Sequence, residues 1–140
     1  MNNYTNHKKT DLINQKLHNK RTNIKISYNE KLKKYLLKNA ERIGHLDCGY
    51  DTTLTNKELN KLINLRFLVC GRNQNITPEK LINLESLNCI ENETIQDYHI
   101  VNLKKLKSLF CDAYGFISND GIKKLTNLSE LFRIGPLIQQ

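Results

Sequence analysis

The sequence predicts an α/β solenoid, in which similar coils stack to give a parallel sheet on one side and short helices on the other. Self-similarity carries this prediction: residues 62–70, Leu-Ile-Asn-Leu-Arg-Phe-Leu-Val-Cys, recur at 81–89 and 103–111 and, in weaker form, at 125–133. A repeat of about twenty residues is typical of a solenoid. The four cysteines, spaced by 22, 19 and 22 residues, set the register of the coils.

Two apolar columns, two residues apart, predict one strand in each coil. The columns contain Ile24, Leu46, Leu68, Leu87, Leu109 and Leu131, and then Ile26, Cys48, Cys70, Cys89 and Cys111. Alternation of this kind indicates a strand with one buried face. The cysteines should therefore form a row of buried thiols. Arg133 follows them in the second column, and we expect it to end the array by reaching solvent, because an unpaired buried charge is costly.

The residues after each strand predict a turn and a short helix. Further apolar columns lie five and three residues apart, as on one helical face. Three of the coils also carry a helix-capping hydroxyl in the same column, at Thr55, at Thr77 before Pro78, and at Ser118. The coil that contains Pro78 is three residues short, so a single compact turn is expected there.

These columns divide the chain into two regions. Residues 1–20 are predicted to be a polar, basic tail or a helix that caps the open end of the solenoid. Residues 21–140 are predicted to form the repeat array of about five and a half coils. The coils span residues 21–42, 43–64, 65–83, 84–105, 106–127 and, incompletely, 128–140.

The pattern resembles the leucine-rich repeat, and most closely its cysteine-containing subtype. That subtype has an Ile-Thr-Asp-x-Gly-Leu-like segment after the turn, which is similar to residues 54–59 and 117–122 here. The cysteines depart from it, since they lie on the strand rather than in the turn that follows. The resemblance implies a curved sheet on the concave side, short helices on the convex side, and a ladder of asparagine side chains between coils. The ladder positions are Asn29, Asp51, Asn73, Asn92 and Tyr114, and the last of these should depart from it.

The net charge of +8 is concentrated near the N-terminus. Residues 1–44 contain eleven Lys and Arg against three Asp and Glu, whereas the remainder is balanced. This distribution supports an alternative function, in which a basic patch binds nucleic acid or another acidic surface. The residues of this basic patch are Lys8, Lys9, Lys16, Lys20, Arg21, Lys31, Lys33 and Lys34.

No constellation for catalysis, a metal or a cofactor is visible. Strands about 4.8 Å apart spread four cysteines over roughly 14 Å, which is too far for one tetrahedral zinc ion. The histidines occupy unrelated positions in the repeat, and the sequence has no glycine-rich phosphate loop and no pair of catalytic carboxylates. We therefore predict that the protein is not an enzyme and needs no cofactor.

The outward-facing strand positions predict a surface that binds a protein or peptide on the concave face. The predicted site residues are Phe67, Val69, Asn88, Ile90, Ser108, Phe110, Asp112, Glu130 and Phe132. Large apolar side chains rimmed by acidic ones are typical of protein interfaces. The resemblance adds a further alternative, an adaptor like the substrate receptors of ubiquitin ligases, although the first forty residues do not match an F-box.

The sequence also predicts where the protein acts. It contains neither the apolar stretch of a signal peptide nor a run long enough to span a bilayer. We expect an intracellular protein, in the cytoplasm or alternatively in the nucleus. The identity of the partner and the oligomeric state stay open.

Overall fold

In the part of the chain that the structure describes, six strands form one parallel sheet in the order of the sequence. The structure, a computed structural model, describes residues 22–25, 33–34, 37–49 and 53–135, and only the backbone of residues 22–25. The strands are β1 (Thr22–Lys25), β2 (Ile43–Asp47), β3 (Phe67–Val69), β4 (Ser86–Asn88), β5 (Ser108–Asp112) and β6 (Glu130–Ile134). Strands β2 to β5 each pair with the strands of the coils before and after them, and β1 and β6 each pair with one described strand. This arrangement confirms the predicted α/β solenoid.

Short helices lie between the strands. They are a 3-10 helix (Ala40–Arg42), α1 (Asn56–Leu59), α2 (Asp97–Ile100) and α3 (Asn119–Lys123). Residues 33, 34, 37 and 38 are also helical. Within the described ranges, no helix has the length and apolar character needed to cross a lipid bilayer.

The register of the sheet follows the columns predicted from the sequence. Leu46, Leu68, Leu87 and Leu109 lie opposite one another on successive strands, and each is at most 1% exposed. The cysteine column lies beside them. All four cysteines are free thiols with at most 2% of their surface exposed, so they act as small apolar residues of the core.

Buried asparagine side chains connect successive coils. The Nδ2 group of Asn92 donates to the carbonyl oxygens of Cys70 at 3.1 Å and Asn73 at 2.9 Å, while its Oδ1 atom accepts from the backbone N–H of Thr94 and of Ile95. Asn73 repeats the pattern one coil earlier, with a 3.4 Å bond to the carbonyl of Cys48. Each amide satisfies backbone groups that would otherwise be buried without partners. The predicted ladder is confirmed at these two positions, and Asn29 and Asp51 lie outside the described residues.

A second row of asparagines, which was not predicted from the sequence, connects the coils just before each strand. The Nδ2 groups of Asn64, Asn83 and Asn127 donate to the carbonyl oxygens of Glu41, Ile63 and Lys104, at 2.8, 3.0 and 2.6 Å. The signal was present, because all three asparagines stand in a Leu-x-Asn-Leu segment.

Two of the three predicted helix starts are confirmed. Glu58 accepts hydrogen bonds from the backbone N–H and the hydroxyl of Thr55, at 2.9 and 2.6 Å. Ser118 Oγ accepts from the backbone N–H of Gly121 at 3.1 Å. Both contacts satisfy groups at the start of a helix, where backbone N–H groups lack partners within the helix.

The helix start predicted at Thr77 is wrong. The Thr77 hydroxyl accepts from Nδ2 of Asn56, and its N–H donates to the Oδ1 atom of the same side chain. After Pro78 the chain makes one turn, closed by the bond from Leu81 N–H to the Pro78 carbonyl at 2.8 Å, and forms no helix. The compact turn expected for the short coil is therefore confirmed, and it leaves no room for a helix.

The solvent-facing position expected for Arg133 is also wrong. Its guanidinium turns back over the preceding coil, where it donates to Asn119 Oδ1 at 2.6 Å and to the carbonyl of Ile117 at 2.9 Å. A longer bond, 3.3 Å, reaches the carbonyl of Ala113. Several backbone and side-chain oxygens thus compensate a charge that lies opposite Cys111 in the sheet.

Candidate functional site

The register places most of the predicted binding residues in columns on the sheet face that points away from the core. One column contains His45, Phe67, Ser86, Ser108 and Glu130, and the next Asp47, Val69, Asn88, Phe110 and Phe132. Further along the strands, Asp112 lies opposite Ile134, and Ile90 follows the end of β4. We call this surface, which is the side of the sheet opposite the core and the helices, the outer face of the sheet.

Two aromatic side chains dominate the C-terminal half of the outer face. The rings of Phe110 and Phe132 are stacked, with centroids 5.7 Å apart and an angle of 23° between their planes. Phe132 is 61% exposed, and Phe110 is partly buried beside it. Phe67, 40% exposed, lies two strands away from Phe110, next to the ring of His45. Both rings of the stacked pair therefore point away from the core, as predicted.

The polar side chains between these rings already have partners in the chain. Ser108 donates to Glu130 at 2.8 Å. The side-chain oxygen of Asn88 accepts from Ile90 N–H at 3.2 Å. These polar groups are already hydrogen-bonded within the chain. A partner would therefore gain binding free energy on this part of the face mainly by burying the rings of Phe110 and Phe132.

An open recess of about 700 Å³ adjoins the outer face where β5 and β6 end. Tyr114, Phe116 and Ile134 give it exposed apolar walls, and Glu93 and Asp112 are among its acidic residues. Of these residues, only Asp112 is among the predicted site residues. The available signal was Tyr114, an aromatic residue in the column where the neighbouring coils have asparagine.

Charged side chains form a row at the opposite end of the strands. Glu85 lies between two cations of the adjacent coils: the Nε atom of Arg66 is 2.7 Å from one carboxylate oxygen, and the Nζ atom of Lys107 is 3.3 Å from the other. The hydrogen bond from Arg66, helped by that from Lys107, holds the pKa of Glu85 below its usual value. This row compensates its own charges and leaves little for a ligand.

Most of the predicted basic patch lies outside the described residues. This holds for Lys8, Lys9, Lys16, Lys20, Arg21 and Lys31. Lys34 is exposed, whereas Lys33 donates to the Thr53 carbonyl at 2.6 Å and lies 4.0 Å from Glu58. Lys33 thus has partners within the array, and nucleic-acid binding by the patch stays a prediction.

The cysteines are poor candidates for chemistry. Burial, and then the neighbouring thiols of Cys48 and Cys89, raise the pKa of Cys70, and burial likewise raises the pKa of Cys89 and Cys111. Since the thiolate is the reactive form, these groups are inert at neutral pH. In the part of the chain that the structure describes, no three His, Cys, Asp or Glu side chains are grouped so as to hold a metal ion.

Comparison with known proteins gives structural relatives only. No protein-family model and no curated protein matches the chain. A solved structure of an internalin (inlF) from Listeria monocytogenes is similar, with a TM-score of 0.57 and 27% identity, and covers 79% of this chain. A second, internalin C2 (inlC2) from the same species, has a TM-score of 0.51 and 28% identity and covers 71%.

The chain is shorter than these relatives, since the similar region makes up 33% of the first and 48% of the second. The likeness supports a role in protein interaction at the level of the family. Assignment to the cysteine-containing subtype stays a prediction. The coils, the parallel sheet and the asparagine ladder agree with the likeness to these two structures, so the chain has a leucine-rich-repeat fold.

Proposed function

We propose that the repeat array is a noncatalytic protein-interaction module that holds a protein or peptide on the outer face of its sheet. The observation that carries the proposal is the stacked, solvent-facing pair of Phe110 and Phe132. Similarity to internalin repeats supports it at the family level. The surface belongs to regular strands, so these rings are held in place before a partner arrives and less entropy is lost on binding.

The size of the effect follows from the chemistry of the two rings. An aromatic residue at the centre of an interface costs about 2 kcal/mol or more of binding free energy when it is replaced by alanine. Removal of both rings should therefore weaken binding at least tenfold, since about 1.4 kcal/mol corresponds to a factor of ten. Folding should change modestly, because Phe132 is exposed and Phe110 is only partly buried, and an aromatic pair contributes about 0.5–1.5 kcal/mol beyond the area that it buries.

Affinity capture from an extract of the native host tests the proposal. The wild-type chain is compared with the double variant Phe110→Ala, Phe132→Ala. The matched control is Ile63→Ala, Ile82→Ala, which removes two apolar side chains that are 57% and 59% exposed and lie outside the strands. We expect the aromatic variant to lose a partner that the control retains.

One result would contradict the proposal, and a second would contradict the predicted intracellular location. If the aromatic variant captures every partner that the wild-type chain captures, the outer face does not bind. If the partners are found only among secreted or cell-surface proteins, the intracellular location is wrong. Repetition of the capture with nuclease-treated extract separates a protein partner from a nucleic acid held by the basic patch.

A further inference from the structure

We propose that the recess beside β5 and β6 selects a partner segment in which a lysine or arginine lies next to an apolar residue. The inference rests on the proposed function, because it names the chemistry of a partner that the outer face would hold. It comes from three features of the recess: its origin in a break of the repeat, its apolar walls and its uncompensated charge.

The recess exists because one coil breaks the asparagine ladder. In the two preceding coils, the buried amides of Asn73 and Asn92 draw the turn inward. Tyr114 takes that column in the next coil, and its side chain is 71% exposed. The turn is closed instead by a long bond of 3.4 Å from Gly115 N–H to the Asp112 carbonyl. The turn at Tyr114 therefore lacks the buried amide of the two preceding coils, and β5 extends two residues beyond the register of β4.

The apolar walls are large for a surface feature. Tyr114, Phe116 and Ile134 are 71%, 59% and 48% exposed, although such residues are more often buried. A Cβ atom at Gly135 would lie 3.1 Å from the Tyr114 ring, so the missing side chain lets that ring pack close to the backbone. The volume of about 700 Å³ is in the range of pockets that enclose small ligands or a few side chains.

The charge of the recess is negative and largely uncompensated. Of the lining residues that the structure describes, three carry carboxylates and none is a lysine or arginine. Arg72 forms an ion pair with Glu91. Among the described residues, neither Glu93 nor Asp112 forms such a pair. A cationic side chain would meet both carboxylates and exposed aromatic faces, each of which attracts it.

Backbone geometry fixes one of these carboxylates. Glu91 has a φ of 65°, the one positive φ of a non-glycine residue in the described part of the chain. This left-handed conformation costs roughly 1 kcal/mol for a residue with a side chain. It directs the Glu91 N–H to Asp112 Oδ2 at 2.7 Å, and so holds the Asp112 carboxylate in position at the edge of the recess.

Peptide sub-libraries, each with one fixed residue in an otherwise random sequence, test the inference. Fluorescence polarisation of the full chain should show that sub-libraries fixed at lysine or arginine bind and that the one fixed at glutamate does not. A basic peptide with a neighbouring phenylalanine or leucine is then titrated against the variant Glu93→Gln, Asp112→Asn, in which the new amide keeps an oxygen that can accept from the Glu91 N–H. We expect about tenfold weaker binding, or about 1.4 kcal/mol.

The control variant is Asp120→Asn, Glu41→Gln, which removes two exposed carboxylates away from the recess and gives the same net charge. Its affinity should stay within about twofold of wild type, since neither carboxylate lines the recess and salt weakens interactions between exposed charges. Equal losses in the two variants would show a general charge effect and overturn the inference. Absence of any preference for basic sub-libraries, or absence of binding, would also overturn it.

The two proposals can fail separately. If Phe110→Ala, Phe132→Ala loses the captured partner while Glu93→Gln, Asp112→Asn binds it and the peptides unchanged, the outer face binds but does not select basic segments. If neither variant changes capture, both proposals are wrong. Tyr114→Ser, Phe116→Ser provides a further check, because it removes the apolar walls and leaves the carboxylates in place. This variant should weaken binding of the phenylalanine-containing peptide more than binding of an all-lysine peptide.

Discussion

The carboxylate of Asp97 accepts two hydrogen bonds from Ser118 of the next coil, one from its backbone N–H at 2.7 Å and one from its hydroxyl at 2.6 Å. Ser118 in turn caps the helix that contains Gly121. A Cβ atom at Gly121 would overlap the Asp97 carboxylate, so the contact needs glycine there. The Asp97 side chain thus links the N-terminal ends of α2 and α3, which belong to successive coils.

Asp97→Asn should destabilise the protein by about 1–2 kcal/mol at neutral pH, because the amide can serve as acceptor with only one of its two terminal atoms. The hydrogen bond from the Ser118 hydroxyl is the main cause that lowers the pKa of Asp97 in the folded state. A lowered carboxyl pKa stabilises the fold above the unfolded pKa, about 3.9, and this contribution is lost as pH falls through the folded pKa. Urea unfolding of both proteins at neutral and acidic pH measures the difference, which should shrink in acid.

The control for this prediction is Asp120→Asn, since the Asp120 side chain is 87% exposed and lies 3.8 Å from Lys123. Exposed pairs of this kind contribute at most about 1 kcal/mol. If Asp97→Asn and the control lost the same stability at every pH, the hydrogen bonds between Ser118 and the Asp97 carboxylate would not stabilise the fold.

Asn92→Ala should be severely destabilising, by about 3 kcal/mol or more, because it leaves several buried backbone groups without partners. Asn127→Ala provides the matched comparison: its amide makes one exposed bond, to the Lys104 carbonyl, and its loss should cost about 1 kcal/mol. Thermal or urea unfolding ranks the two. Similar costs would mean that water satisfies the groups around Asn92.

Gly71→Ala should cost about 1–3 kcal/mol, since a Cβ atom there would overlap the Ile90 carbonyl, which belongs to the backbone of the next coil. Gly44→Ala is the control, because a Cβ atom at that position meets nothing within 4 Å. In a strand, replacement of glycine by alanine should be neutral or stabilise by about 0.5–1 kcal/mol. A stability of Gly71→Ala equal to that of Gly44→Ala would show that the two coils move apart at no cost.

The four thiols should react with a disulfide reagent only when the protein unfolds. Burial raises the pKa of Cys70, Cys89 and Cys111, so both thiolate content and access are low in the native state. The reaction is followed by absorbance with increasing urea, and its amplitude should track unfolding measured by circular dichroism. A thiol that reacts without denaturant as fast as in the unfolded chain would contradict the buried row.

Much of the fold could be predicted because one signal recurs in every coil. The leucine and cysteine columns each repeat in several coils. The register of Leu46, Leu68, Leu87 and Leu109 in the sheet confirms the leucine column. The asparagine ladder at Asn73 and Asn92 was accessible for the same reason. The row at Asn64, Asn83 and Asn127 was equally repetitive and could have been found.

Features that occur once were harder to predict. The helix start expected at Thr77 failed because the side chain of Asn56, in the neighbouring coil, takes both of its polar groups. Arg133 was expected to reach solvent, but carbonyl oxygens of the preceding coil were within its reach. The recess was missed because it depends on the shape of one turn: Tyr114 marks that turn as different from its neighbours, but the sequence pattern does not give its shape.

Leu131 belongs to the same column as Leu109, yet it is 43% exposed where Leu109 is fully covered. Among the described strands, β6 pairs with β5 alone, whereas β5 pairs with both β4 and β6, so the layer of Leu131 has fewer packing partners there than the layer of Leu109. The rings of Phe132 and the walls near Ile134 belong to that layer. A bound partner that covers the outer face would add contacts to a strand that has one described neighbour, so binding should stabilise β6 more than the central strands.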